Sequence, residues 1–562
     1  MTTPERSSLG TLIGNTGQLT VMAALKDSYS TKRGGFVRVP HQEERDGSER
    51  WVLARVVNVS RENILFDEDL GSDVADIQML TETDFAEDVF ASLELIGYVT
   101  ETGEVKTPRR PLNPGAKIYP VTSNFLQQFY EYTPETSVRL GDLVGYEEGE
   151  DRVPIYIDIN KIATEHIAVL AMTGAGKSYT VGRLAEMMVA RANASVLIFD
   201  PHGEYGKAAT HGSLSFNEAE SFDDDFAAEE LRETKKQLEE LHQQGGGVNV
   251  YAPPGQFADN KYGADHYTPL QLGLDSLTAD ELQNIMPDMS EPQERLLSVA
   301  VRYWRQSFSS PRTISSLIDV LTDEFEALKN WSQISEEERS ALSSRSASII
   351  ALRLRNLIRD AGIFYDGEAS PIDIRDVVGR QDPINQADGA GRISVIDLQN
   401  VSQRAMEVVV AIMGNEMIDA ISDSQNPIRP VFTVLEEGHI FTPSGSSSIA
   451  EPVIRKIAAE GRKFGIGLGI ISQRPSKLDS DVTSQCNTLV TMRIKNPDDQ
   501  RFIRQASEKL SEQDINELPA LSTGEALVTG EAIQAPLLVK VGPKILQHGG
   551  ESPEVVNMWQ NT

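Results

Sequence analysis

At 562 residues, 40% of them apolar, the chain is long enough for two to four domains with sizeable cores. It has no run of 18 apolar residues to span a bilayer, and its start, MTTPERSSLG, lacks the apolar stretch of a secretory signal, so the expectation is a cytoplasmic protein with no membrane partner. The one cysteine, Cys486, excludes an internal disulfide and a cysteine cluster for metal. The net charge of −32, with arginine about twice as frequent as lysine, points to adaptation to high salt and argues against DNA binding over the whole surface, though not in a local basic channel.

Residues 8 to about 150 read as β. The runs TLIGNTGQLTVMAAL, GGFVRVP, WVLARVVNVS and SVRLGDLVGY are short, β-rich and split by Gly, Asn and Asp, which predicts a small barrel. From Val153 the texture changes. HIAVL is a continuous apolar strand, as in a parallel sheet covered on both faces, and ASVLIFD follows one helix later, giving a βαβ unit.

Between those two strands lies AMTGAGKSYT, residues 171–180. Gly174 and Gly176 permit backbone angles and close approaches that a Cβ would block. Such a loop turns successive N–H groups inward and feeds the positive end of a helix, which makes a cradle for a polyphosphate. Thr173, Gly174, Ala175, Gly176, Lys177, Ser178 and Tyr179 are the candidate nucleotide-binding stretch, with Lys177 reaching the β- and γ-phosphates and the Ser178 hydroxyl holding Mg²⁺. Ala171 stands where this pattern has its first glycine.

Residues 211–365 break the alternation and read as a helical insertion. Ser335 with Glu338, Thr278 with Glu281 and Ser290 with Gln293 fit capping boxes, and ELRETKKQLEELHQQ and RSASIIALRLRNLIRD have helical periodicity. Arg345, Arg353, Arg355 and Arg359 form a solvated face or a surface for a polyanion. Strands resume with RISVIDL, PVFTVLEE, GIGLGIIS and NTLVTMRI, so the α/β core is expected over 151–210 and 366–545.

A phosphate cradle needs acids at a nearby strand end, and VFTVLEEGH supplies Glu436 and Glu437. The first suits the Mg²⁺ shell, and the second can polarise an attacking water. GIGLGIISQRPSKL ends a strand on Ser472 and Gln473, a place where a polar side chain either closes the strand or senses a γ-phosphate. Arg462 and Lys463, in AAEGRKFG, either complement a helix dipole or project from a subunit's edge.

Together VLAMTGAGKS, FDPHGEYG, VLEEGHIF, EGRKFGIGLGIISQRPSKLDSDVTSQCNT and GEALVTG resemble the HerA family of hexameric DNA translocases and helicases, from about Leu9 to Val541. The β-rich start is similar to that family's HAS-barrel. The resemblance implies a RecA-like P-loop ATPase core that forms a homohexameric ring around double-stranded DNA, uses ATP with Mg²⁺, and works with a NurA-type nuclease in end resection during double-strand break repair. It implies that Lys177 and Ser178 bind nucleotide and Mg²⁺, that Glu437 activates water and that Gln473 senses the γ-phosphate. Arg462 would be an arginine finger acting on the neighbouring subunit, and Asp200, His202 and Glu204 would support the site from the second strand. The rival expectations are the ATPase subunit of an anti-phage complex and a nucleotide-gated scaffold that moves nothing. With the acidity, the resemblance points to a halophilic archaeal source.

Overall fold

The computed structural model describes residues 7–17, 19–27, 31–42, 50–62, 88–210, 213–217, 225–273, 278–286, 289–361, 363–365, 370–381, 386–507 and 510–549. The first unit is a closed barrel of six strands. Thr20–Leu25, Gly10–Ile13, Lys117–Pro120, Phe36–His41, Arg50–Glu62 and Asp88–Val99 pair in that order, and Asp88–Val99 pairs back onto Thr20–Leu25. Strand residues alternate across the wall. Val89, Ala91, Leu93 and Leu95 of the last strand point inward with Val21, Ala23, Val37 and Val39, while the residues between them are more exposed.

The second unit is built on a mostly parallel sheet. Its parallel part runs Thr268–Pro269, Gly247–Ala252, Arg392–Asp397, Ser195–Asp200, Val431–Leu435, Ile466–Ser472, Ile167–Leu170 and Thr488–Thr491. Every residue of the Ile167–Leu170 strand is buried, as its continuous apolar run demands when helices cover both faces. Beyond Thr488–Thr491 the sheet turns antiparallel through Glu525–Gly530, Leu537–Val541, Ser137–Leu143 and Pro154–Asp158.

Runs from two of the expected regions sit elsewhere than the sequence suggests. SVRLGDL, expected in the barrel, joins the large sheet. Its side chains are buried on both faces and not on alternate ones, because Arg139 and Asp142 neutralise each other inside, 2.7 Å apart. Gly247–Ala252 lies within the expected helical insertion yet pairs in register with Arg392–Asp397. The helix before it, Asp225–Gln243, buries Leu231 and Leu238 and packs against the helix Lys177–Ala192. The described residues of 278–286 and 289–361 are mostly helical. Glu291–Ser307, Ile314–Leu321 and Ser344–Ala361 pack through Trp304, Leu317, Ile350 and Leu354. Gln293 and Glu338 reach back to the N–H groups of Ser290 and Ser335, as capping boxes do. Arg345 and Arg355 are exposed and Arg353 half-buried, while the Arg359 side chain lies outside the described residues.

A buried arginine joins the two units. Arg55 of the barrel donates to Glu94 at 2.6 Å and to Asp514, which sits on the helix Glu512–Glu517 of the second unit. Burial works against the Arg55 charge, but the two carboxylates outweigh it and raise its pKa. Among the described residues no helix is long and apolar enough to cross a membrane.

Candidate nucleotide site

The loop 171–176 leaves the carboxyl end of the Ile167–Leu170 strand and enters the 16-residue helix Lys177–Ala192. Gly174 and Gly176 have φ of 75° and 106°, which L side chains rarely adopt. At Gly176 a Cβ would also lie 3.2 Å from the Met492 side chain. The Ala175 carbonyl accepts from Gly524 N–H and the Met172 N–H donates to the Arg493 carbonyl, so the loop is pinned from two sides. The first N–H groups of the helix have no partner within the helix and are available to an anion.

Lys177 is buried. Its Nζ lies 2.5 Å from Glu436 Oε1 and 3.5 Å from Glu437 Oε1. Burial disfavours the ammonium, but the two glutamates more than compensate and raise its pKa. Ser178 Oγ donates to the same Glu436 oxygen at 3.2 Å. Glu436, 0% exposed, ends the strand Val431–Leu435, and its second oxygen accepts from the Tyr205 hydroxyl at 2.9 Å. Burial pushes its carboxyl up, while the direct contact with Lys177 favours the charged pair.

Glu437 takes a left-handed backbone conformation, φ 50° and ψ 47°, which turns its side chain out of the strand line. One oxygen accepts from the Gln473 amide, and the other lies 3.3 Å from His439 Nδ1. Burial alone would raise its pKa, but His439, Lys177 and the Gln473 backbone hold the carboxyl down at about 2. The Gln473 side-chain oxygen in turn accepts from the Thr173 hydroxyl. Thr173, Gln473 and Glu437 thus form one hydrogen-bonded chain from the loop to the second acid.

Asp200 ends the next strand and is 0% exposed. It accepts from the N–H groups of His202, Gly203 and Tyr205, and so shapes the loop that delivers Tyr205. Burial pushes its pKa up to about 7, with Asp397 and Glu436 adding to the rise against the Tyr205 N–H. His202 approaches Glu437 at 3.9 Å.

The structure therefore brings Thr173, Lys177, Ser178, Glu436, Glu437 and Gln473 to one place, with Asp200, His202 and Glu204 beside them. Two candidates sit differently. The Tyr179 hydroxyl faces away to accept from the Lys544 N–H at 2.6 Å, so its side chain is a clamp on the C-terminal segment. Arg462 is exposed in the last turn of the helix Glu451–Phe464, just before the strand Ile466–Ser472 begins. Gln473 follows that strand's far end, and at about 3.3 Å per residue Arg462 is about 20 Å from its own site. Sequence reading passed over His439 and Tyr205. Both lie inside quoted motifs, yet nothing in a motif shows that one will grip Glu437 and the other Glu436. It also missed the segment 542–549, which carries no recognisable pattern.

A family model described as the helicase HerA central domain matches residues 138–417, and one described as the helicase HerA-like C-terminal domain matches residues 290–553. The DNA double-strand break repair helicase HerA of Pyrococcus furiosus is 28% identical over 84% of this chain and 82% of its own length. A probable helicase of Methanocaldococcus jannaschii is 26% identical over 98% of this chain and 94% of its own. The DNA double-strand break repair helicase HerA of Saccharolobus solfataricus is 24% identical over 90% and 88%. Among solved structures, the bacterial conjugative coupling protein TrwB aligns with a TM-score of 0.46 at 15% identity, covering 77% of this chain and 95% of that one. With two family models joined over residues 138–553 and relatives matched along most of their lengths, this chain belongs to the HerA helicase family.

Proposed function

We propose that the protein is an ATP-dependent DNA translocase and helicase that works as a homohexameric ring on double-stranded DNA and serves double-strand break repair with a NurA-type nuclease. One observation carries the reading. Lys177 and Ser178 converge on a single oxygen of Glu436, while Glu437 beside it is tied through Gln473 to Thr173. A hydroxyl and a buried carboxylate oxygen at the foot of a phosphate cradle are the hard oxygen donors that Mg²⁺ prefers. Among the described residues no group of three or more His, Cys, Asp or Glu side chains is arranged to hold a metal alone.

In this reading Lys177 would leave the glutamates for the β- and γ-phosphates, and Ser178 and Glu436 would hold Mg²⁺, whose charge would screen that of the phosphates. Glu437, ionised and aimed by His439, takes the proton of the attacking water. Gln473 links the γ-phosphate to Glu437 and to the loop. Arg462, exposed and about 20 Å from its own pocket by strand length, is assigned in this reading to a neighbour's ATP, as a ring requires. The DNA substrate and repair role rest on relatives that are DNA double-strand break repair helicases. The nuclease rests on the family resemblance.

The test is ATP turnover with and without duplex DNA. Duplex should stimulate the wild type. Glu437→Gln should bind ATP normally and lose turnover by about 10²- to 10⁴-fold, the usual contribution of a positioned base. Turnover at the wild-type rate in that variant would remove Glu437 from the role.

A further inference from the structure

After the strand Leu537–Val541 the chain runs back along the P-loop helix as an extended strap, residues 542–549. One face of that helix is built to receive it. Tyr179 accepts from Lys544 N–H at 2.6 Å, and Glu186 accepts from Ile545 and Leu546 N–H at 2.8 and 3.0 Å. Between them stands Gly182, where a Cβ would come within 2.3 Å of the Lys544 side chain. Residues 179, 182 and 186 are spaced three and four apart and so share a face. On its other side the strap is held by Asn217, whose N–H donates to Ile545 O at 2.8 Å.

The strap ends at the candidate site. Gly549 N–H donates to the Glu204 carbonyl at 2.8 Å, and the His548 ring lies edge-on to Tyr205 with centroids 6.4 Å apart. Tyr205 is the residue that bonds Glu436. Two polar atoms here are buried without a hydrogen-bond partner, His548 Nδ1 and Glu204 Oε2. Buried polar atoms are nearly always satisfied, so an orphaned pair beside a binding site calls for a ligand that supplies donors. A phosphate supplies none to a carboxylate. The waters of a hydrated divalent cation supply several.

We propose that His548 and Glu204 form an outer-sphere cradle for the hydrated cation of the nucleotide site, both accepting hydrogen bonds from its waters. The inference rests on the nucleotide-site reading above and adds a residue from outside every motif. Charged and aromatic groups surround His548 from three elements. They are Lys544 on its own strap, Glu204, Tyr205 and Lys207 on the loop after the second strand, and Lys177 on the P-loop helix. Burial foremost, then Lys544, pushes the imidazole down to about 4, which leaves it neutral with one ring nitrogen free to accept. His548 and Glu204 are positioning residues, acting through water and touching no reacting atom.

The test is Mn²⁺ binding to the full-length protein with a non-hydrolysable ATP analogue, followed by loss of the free Mn²⁺ signal in electron paramagnetic resonance. His548→Phe keeps a ring and removes the acceptor. It should weaken Mn²⁺ binding about tenfold, as loss of an outer-shell partner does. His548→Asn loses ring packing but keeps an acceptor near the Nδ1 position, and should stay close to wild type. Glu204→Ala should weaken Mn²⁺ like His548→Phe. In EDTA, affinity for the analogue should be unchanged in all three. Wild-type Mn²⁺ affinity in His548→Phe, or equal losses in His548→Phe and His548→Asn, would overturn the cradle. If the wild type bound no analogue, or Lys177→Ala bound it as well as wild type, the nucleotide site itself would fall and the cradle with it.

Discussion

Glu186 should be the latch of the strap, and its removal should release residues 542–549 while leaving the rest of the molecule folded. The side chain is 1% exposed and accepts two backbone N–H groups. It is also 3.9 Å from the ammonium of Lys544, which is itself buried. Glu186→Ala strands both donors, and each orphaned buried group costs about 1–3 kcal/mol. The sum, about 2–6 kcal/mol, would make local opening roughly 30-fold to 10⁴-fold more frequent. Hydrogen–deuterium exchange read by mass spectrometry measures this directly. Peptides covering 542–549 should exchange faster by that factor, while the barrel strand Asp88–Val99 keeps its wild-type protection. Glu186→Gln, which retains one acceptor oxygen, should fall between. Wild-type exchange in the strap of Glu186→Ala would refute the latch. So would an equal rise in every peptide, which would make Glu186 a determinant of global stability.

Two further outcomes follow from the site. Arg462→Ala and Lys177→Ala should each abolish turnover, yet mixed rings should hydrolyse some ATP, because an interface between an intact pocket and an intact Arg462 restores one complete site; a mixture no faster than either parent, with mixed rings confirmed by native mass spectrometry, returns the finger to another residue. Glu437 has a folded pKa of about 2 against an ordinary 4.5, so its stabilising contribution is complete above pH 4.5 and is lost as the pH falls toward 2. The stability deficit of Glu437→Gln in denaturant titrations should therefore shrink across that window, and a constant deficit would show that Glu437 is not held ionised by its neighbours.

The loop 171–180, the two glutamates and Gln473 could be found in the sequence because each lies in a short contiguous pattern with its own local physics. A strand end, a glycine with positive φ and a helix start need no distant information. What joins them did need it. Tyr205 reaches Glu436 across 231 positions, and Thr173 reaches Gln473 across 300. Strand periodicity likewise identified 137–143 as β but not its sheet, because pairing partners are chosen by the whole fold. Gly247–Ala252 was hidden for a related reason. It is a short run between helices, and only the edge of the parallel sheet beside Arg392–Asp397 makes it a strand. The strap is the extreme case. VGPKILQHG has no periodicity, and its value lies in acceptors such as Glu186 that are supplied by another element.

The place of Leu537–Val541, wedged between Glu525–Gly530 and Ser137–Leu143, sets a clock on the protein's own synthesis. Ser137–Leu143 leaves the ribosome early, but the strand that covers its free edge comes almost 400 residues later. At about 5–20 residues per second that is a wait of roughly 20–80 s. Pro154–Asp158 shields one side during the wait, and the other side is an open strand edge, the kind that recruits stray chains. Arg139 and Asp142 lie on that strand, and charges at an edge deter such pairing. The ions that the finished sheet neutralises, with Glu230 2.6 Å from Arg139, are the same charges that mark this edge until Leu537–Val541 covers it.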